Sequence, residues 1–146
     1  MSISAQQRAD EVGRIMFADD TAARHLGIRV LEIRPGYARL EMRVRPEYTN
    51  GHGICHGGYM FLLADTAFAY SCNSHNQRAV AASAHIDFMA PGQRDDVLTA
   101  EAQEQQLAGR SGVYDVRVTN QHGTVIALFR GKSATIKGRF FDEDPS

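Results

Sequence analysis

One segment decides most of what this chain can become. Residues 57–74, GGYMFLLADTAFAYSCNS, are apolar, small or neutral at every position except Asp65. Such a stretch is apolar on nearly every helical face, which for a helix means burial rather than a place at the surface. The rest reads differently. Residues 80–88, 97–106, 112–119 and 125–136 read as strands, broken by Pro91-Gly92, Gly109 and residues 120–123. Upstream, Ile28, Val30 and Ile33 alternate with polar residues, Pro35-Gly36 supplies a turn, and Tyr37, Leu40, Met42 and Val44 follow, so a hairpin is expected. Residues 5–17 carry Val12, Ile15 and Met16 at helical spacing, which predicts a peripheral amphipathic helix ended by Asp19 and Asp20. The expected fold is therefore α+β, an antiparallel sheet with strands joined by short turns, curled round one long central helix. A parallel sheet would need more helices.

The 146 residues suit a single domain over residues 1–146, with a core at about 25–137, an N-terminal helix at about 4–18 and an acidic tail, 141–146, that frays. The 16 Lys and Arg nearly balance 17 Asp and Glu, for a net charge of -1, and form no basic run. That argues against a nucleic-acid partner. Cys55 and Cys72 read as free thiols, which suit a reducing compartment, so the cytoplasm is expected. The opening residues lack the apolar run of a signal peptide. The longest wholly apolar run, 59–64, falls far short of the ~18 residues that span a bilayer, so no membrane partner is expected.

Asp65 is the residue that needs a reason. An ionised carboxylate withdrawn from water is costly unless paired, and its pKa rises, which suits a general base or a nucleophile. The glycine- and histidine-rich segment 48–58, YTNGHGICHGG, runs into the start of the helix. Unpaired N–H groups there can polarise a carbonyl and hold an oxyanion, and Gly57 or Gly58 lets a ligand approach the backbone. Eight residues separate Gly57 from Asp65, roughly 12 Å along one helix, whereas reacting atoms meet at about 3 to 3.5 Å. Gly57 of one subunit and Asp65 of a second, across a two-fold axis, would close that gap. An obligate dimer is predicted, and a tetramer is expected from pairing of dimers.

The segment NGHGICHGGYMFLLADTAFAYSCNS, with HIDFMAPG at 85–92, GVYDVRVTNQ at 112–121 and ALFRGKS at 127–133, resembles hotdog-fold acyl-CoA thioesterases, most of all those of phenylacetic acid degradation. The resemblance spans about residues 25–135. It implies a hotdog fold and hydrolysis of an aromatic acyl-CoA such as phenylacetyl-CoA or a ring-hydroxylated form, with no cofactor beyond the coenzyme A of the substrate. It implies Asp65 as base or nucleophile, the Gly57 amide as carbonyl polariser, Gly58 beside it, and Asn50 and His56 arranging substrate and loop. Many relatives carry a water-orienting Ser or Thr where this chain has Ala81. By strand alternation Ser83 shares Ala81's face and could substitute.

The same residues admit other readings. His52, Cys55, His56 and Cys72 match no common metal-site spacing, so no metal is expected. Cys55 and His56, adjacent at a helix entry, point in different directions and make a poor nucleophile pair. Gly131-Lys132-Ser133 lacks the first glycine of a phosphate loop, whose place falls at Ile126. Met60, Phe61, Leu63 and Phe68 read as core or dimer contacts, while Tyr59 and Met89 stay open as substrate contacts. Among Arg94, Arg110, Arg130, Lys132 and Arg139, the pair Arg130 and Lys132 shares one strand face and is the first choice for the coenzyme A phosphates. The rivals are a hotdog hydratase or dehydratase, with His56 or His85 beside a carboxylate, and a non-catalytic acyl-CoA-binding module.

Overall fold

The computed structural model describes residues 2–143. Helix α1 (Ala5–Asp19) begins at a reciprocal cap: the Ser4 hydroxyl accepts the Gln7 N–H at 3.0 Å and the Gln7 side chain accepts the Ser4 N–H at 2.8 Å. Its Ala9, Val12 and Gly13 are buried. Asp20 ends α1 as expected and at once caps a short helix, α2 (Thr21–His25), which the sequence reading left out. Strands β1 (Arg29–Arg34) and β2 (Tyr37–Arg43) form the hairpin about Pro35-Gly36.

Helix α3 (Gly57–Asn73) is the long central helix, and Met60, Leu63, Ala64, Ala67, Phe68 and Tyr70 on it are buried. Strands β3 (Ala79–Phe88), β4 (Val97–Ala108), β5 (Ser111–Thr119) and β6 (Val125–Thr135) complete one antiparallel sheet in the order β1-β2-β4-β5-β6-β3. Alternate residues Leu40, Met42, Leu98, Ala100, Tyr114, Val116, Val118 and Phe129 join α3 in a single core. Irregularities at Val30/Glu32, Ala81/Ser83, Glu104/Gln106 and Val118/Thr119 add local twist and let the sheet wrap the helix.

Two expectations are corrected. The last four strands are not all joined as neighbours: β3 pairs with β6 at the far edge, and residues 89–96 carry the chain from that edge back to β4 beside β2. Nor does the described part of the tail fray. Glu143 accepts from Arg8 at 2.8 Å and from Asn76 at 2.8 Å, and those donors, Arg8 first, hold its carboxyl down at about 2. Residues 144–146 lie outside the described residues.

Gly131 shows how closely helix and sheet pack. A Cβ there would lie 2.7 to 2.8 Å from the Phe68 ring carbons. Gly131→Ala should lower the unfolding free energy by about 1–3 kcal/mol, seen as a lower denaturant midpoint at unchanged slope. An unchanged midpoint would show that the ring yields freely.

Candidate active site

The loop before α3 is tied down by its own backbone. Asn50 donates its N–H to the Ile54 carbonyl at 2.8 Å, accepts the Gly53 N–H at 2.9 Å, and takes the His52 N–H on its side chain at 2.9 Å. The Cys55 N–H reaches the Gly92 carbonyl and the His56 N–H reaches the Tyr48 carbonyl, both at 2.7 Å. Tyr48 is buried, anchored through its hydroxyl to the Leu26 carbonyl at 2.8 Å, and stacked on Tyr59 with ring centroids 4.4 Å apart. Asn50 is thus a loop former, and Tyr59 packs as part of the anchor.

His56 caps α3. Its Nδ1 accepts the Gly58 N–H at 3.4 Å, so the ring proton of the neutral form sits on Nε2, while its carbonyl takes the Tyr59 N–H at 3.0 Å. Between them the Gly57 N–H has no hydrogen-bond partner among the described residues. It stands at the positive end of a helix of 17 residues, able to bind an oxyanion or a carbonyl oxygen.

Asp65 lies two turns further along the same helix, half-buried. Burial alone pushes its carboxyl pKa up; no neighbouring charge or side-chain hydrogen bond contributes. The unbroken helix keeps Gly57 and Asp65 of one chain roughly 12 Å apart along its axis. The fold supplies the two groups and holds them apart.

The other expected site residues are placed less favourably. Gly131 faces α3, so its neighbours Arg130 and Lys132 point to the opposite, outer face of the sheet. There Arg130 binds Asp115 through two hydrogen bonds of 2.6 and 2.8 Å, whereas Lys132 has no ion pair among the described residues. Ser83 joins them. Ala81 pairs with Ser133 but Ser83 pairs with Lys132, so the bulge between them reverses the alternation and removes Ser83 from Ala81's face. The expectation that Ser83 replaces the missing hydroxyl is thereby overturned. His85, opposite Arg130 and 3.1 Å from Asp87, also faces outward, so it makes no acid–base pair with Asp65 of its own chain. Burial raises the Cys55 thiol to about 11 and the Cys72 thiol to about 12, which makes both poor nucleophiles.

Two residues passed over in the sequence matter here. Asp96, buried, accepts the Gln93 N–H and the Gln121 amide, both at 2.8 Å, and so fixes the turn whose Gly92 carbonyl holds Cys55. Phe88, at the end of β3, lays its ring against Gly57. The Asp95-Asp96 pair after Pro91-Gly92 was a readable turn signal; nothing local marked Phe88.

Comparison with known proteins decides the family. The thioesterase superfamily profile matches residues 52–127, which take in the end of the loop before α3, Gly57, Asp65 and all of β3. The chain belongs to the thioesterase superfamily. Acyl-coenzyme A thioesterase PaaI of Escherichia coli is 45% identical over 98% of this thioesterase chain and 99% of its own. The solved structure of E. coli PaaI, a protein from the phenylacetic acid degradation operon, superposes with a TM-score of 0.92 over 93% of this chain and 99% of that one, at 44% identity. Human acyl-coenzyme A thioesterase 13 is 32% identical over 70% of this chain and 76% of its own. A Streptococcus pneumoniae hypothetical thioesterase solved with coenzyme A matches at TM-score 0.74 and 26% identity, over 77% of this chain and 90% of that one. The helix wrapped by an antiparallel sheet is accordingly the hotdog fold.

Proposed function

We propose that this chain hydrolyses aromatic acyl-CoA thioesters, phenylacetyl-CoA or ring-hydroxylated phenylacetyl-CoA, to the free acid and coenzyme A, at a site completed by two protomers. The single observation that carries the reading is one helix that bears both a Gly57 N–H with no partner among the described residues and a carboxylate raised by burial alone, and that keeps the two apart. The near full-length likeness to an acyl-coenzyme A thioesterase, whose structure comes from a phenylacetic acid degradation operon protein, supports the substrate class.

Strand β3 supports the second protomer. It is the last strand of the sheet, none of its ten residues is buried, and Val80 on it is a large exposed apolar side chain. A long apolar edge with unpaired backbone groups is a template for another strand. Pairing β3 with its copy would bring a second α3 beside the first, and two such dimers can pair again as a tetramer.

In this mechanism the thioester carbonyl oxygen accepts the Gly57 N–H, and Asp65 of the second chain either deprotonates a water that attacks the carbonyl carbon or attacks it directly to give an anhydride that water then opens. Either way the carbon–sulfur bond breaks, and the coenzyme A thiolate leaves and takes up a proton. Asn50, His56 and Gly58 shape the loop and helix start around the carbonyl. Lys132, with an ammonium free to take a phosphate, suits the coenzyme A end better than Arg130, whose fork is filled by Asp115. The chemistry calls for water, an amide and a carboxylate, and for no added cofactor or metal. The reading places the enzyme in the cytoplasm, in keeping with two free buried thiols; no described helix is long and apolar enough to cross a membrane.

The test is thiol release from a panel of phenylacetyl-, hydroxyphenylacetyl-, straight-chain and enoyl-CoA substrates. The expected profile favours the aromatic esters at least about tenfold in kcat/KM, about 1.4 kcal/mol of selective binding. A flat or aliphatic-only profile would refute the aromatic assignment. Hydration of enoyl-CoA without thiol release would refute hydrolysis itself.

A further inference from the structure

Phe88 ends β3 on the sheet's inner face, opposite buried Ala127, and reaches the start of α3. A Cβ placed on Gly57 would lie 2.8 Å from its Cζ, 3.1 Å from Cε1 and 3.4 Å from Cε2. The ring therefore fills the space where any side chain at position 57 would go. Even so, 53% of Phe88 is exposed, as is 60% of the adjoining Met89. A ring in contact with Gly57 on one side and open on the other borders whatever binds the free Gly57 N–H. A carbonyl oxygen held at about 2.9 Å from that nitrogen puts its carbon about 4 Å away, and the group attached to that carbon then comes within reach of the ring.

From this contact we infer that Phe88 is a specificity residue: its exposed ring forms one wall of the acyl site and favours a flat aromatic acyl group over a straight chain. The inference rests on the assignment of the Gly57 N–H as carbonyl donor in the proposed function. Ring–ring contact in offset or edge-to-face geometry gives a preference that an aliphatic chain cannot draw from the same wall. The same contact explains why position 57 takes glycine, since a side chain there would displace the wall and block the amide together.

The test measures binding, so that it does not depend on turnover. Calorimetric dissociation constants of non-hydrolysable ketone analogues that keep a carbonyl, 2-oxo-3-phenylpropyl-CoA and its hexyl counterpart 2-oxooctyl-CoA, are compared for the wild type, Phe88→Leu and Phe88→Tyr. The phenyl preference should fall about three- to tenfold in Phe88→Leu, with affinity for the hexyl ketone changing less than twofold, and should be kept in Phe88→Tyr, which retains the ring. Light scattering follows the oligomer in each variant. A phenyl-to-hexyl ratio unchanged by Phe88→Leu, with or without loss of oligomer, would overturn the inference and leave Phe88 as a packing or interface residue. Equal loss in Leu and Tyr would overturn it too. Thiol release from wild-type enzyme judges the hydrolase reading separately: selectivity lost in Phe88→Leu while no ester is cleaved would keep this inference and sink that one.

Discussion

Asp65→Asn should lower kcat by about 10²- to 10⁴-fold and at the same time raise the melting temperature at neutral pH. The first effect follows from its role, since an amide can neither take the proton of water nor attack a carbonyl. The second follows from burial. The Asp65 carboxyl titrates above its ordinary value in the folded protein because the site withdraws it from water. Between the unfolded value, about 3.9, and that raised value the folded state binds more protons than the unfolded, so stability falls as pH rises through the window. Above the window the full cost of the buried charge is present, and Asn removes it. The melting difference between wild type and Asp65→Asn should therefore be largest at neutral pH and close as pH falls below the unfolded value. The acid limb of kcat/KM should carry an apparent pKa above the ordinary carboxylate range. A variant that melts lower than wild type at pH 7 would mean that Asp65 holds the structure together rather than strains it.

Much of this arrangement could be read from residues alone. The all-round apolar segment announced α3 and its burial; Pro35-Gly36 announced the hairpin; the lone charge announced Asp65. What could not be read depended on register across distant strands. The residue pattern identifies 80–88 as a strand, but its partner β6 begins only at Val125, and no local rule chooses it over the nearer β4. One bulge residue between Ala81 and Ser83 reversed the face of Ser83, because the period of two holds only while the pleat is unbroken. Arg130 looked free for phosphate until cross-strand pairing set it against Asp115. The Phe88–Gly57 contact and the Arg8–Glu143 pair join parts of the chain that only the folded sheet brings together.

The second large effect concerns assembly. If the carbonyl donor and the carboxylate that serve one substrate come from different chains, each single-site variant is inactive alone, yet the two defects complement each other. A Gly57→Val chain loses the amide, since its side chain would strike the Phe88 ring that already lies 2.8 Å from a single added Cβ, but it keeps Asp65. An Asp65→Asn chain loses the base but keeps Gly57. A heterodimer of the two contains one site with both groups intact and one with both damaged. Exposure of the whole β3 edge in the single chain is what makes such a pairing available.

The most direct measurement is thiol release by heterodimers, co-expressed with two different tags and purified through both, against each parent homodimer. With one restored site of two, activity should reach about half that of the wild type, and about a quarter in an unfractionated random mixture. Heterodimers no more active than either parent would contradict the composite site and return Asp65 and Gly57 to separate roles within one chain.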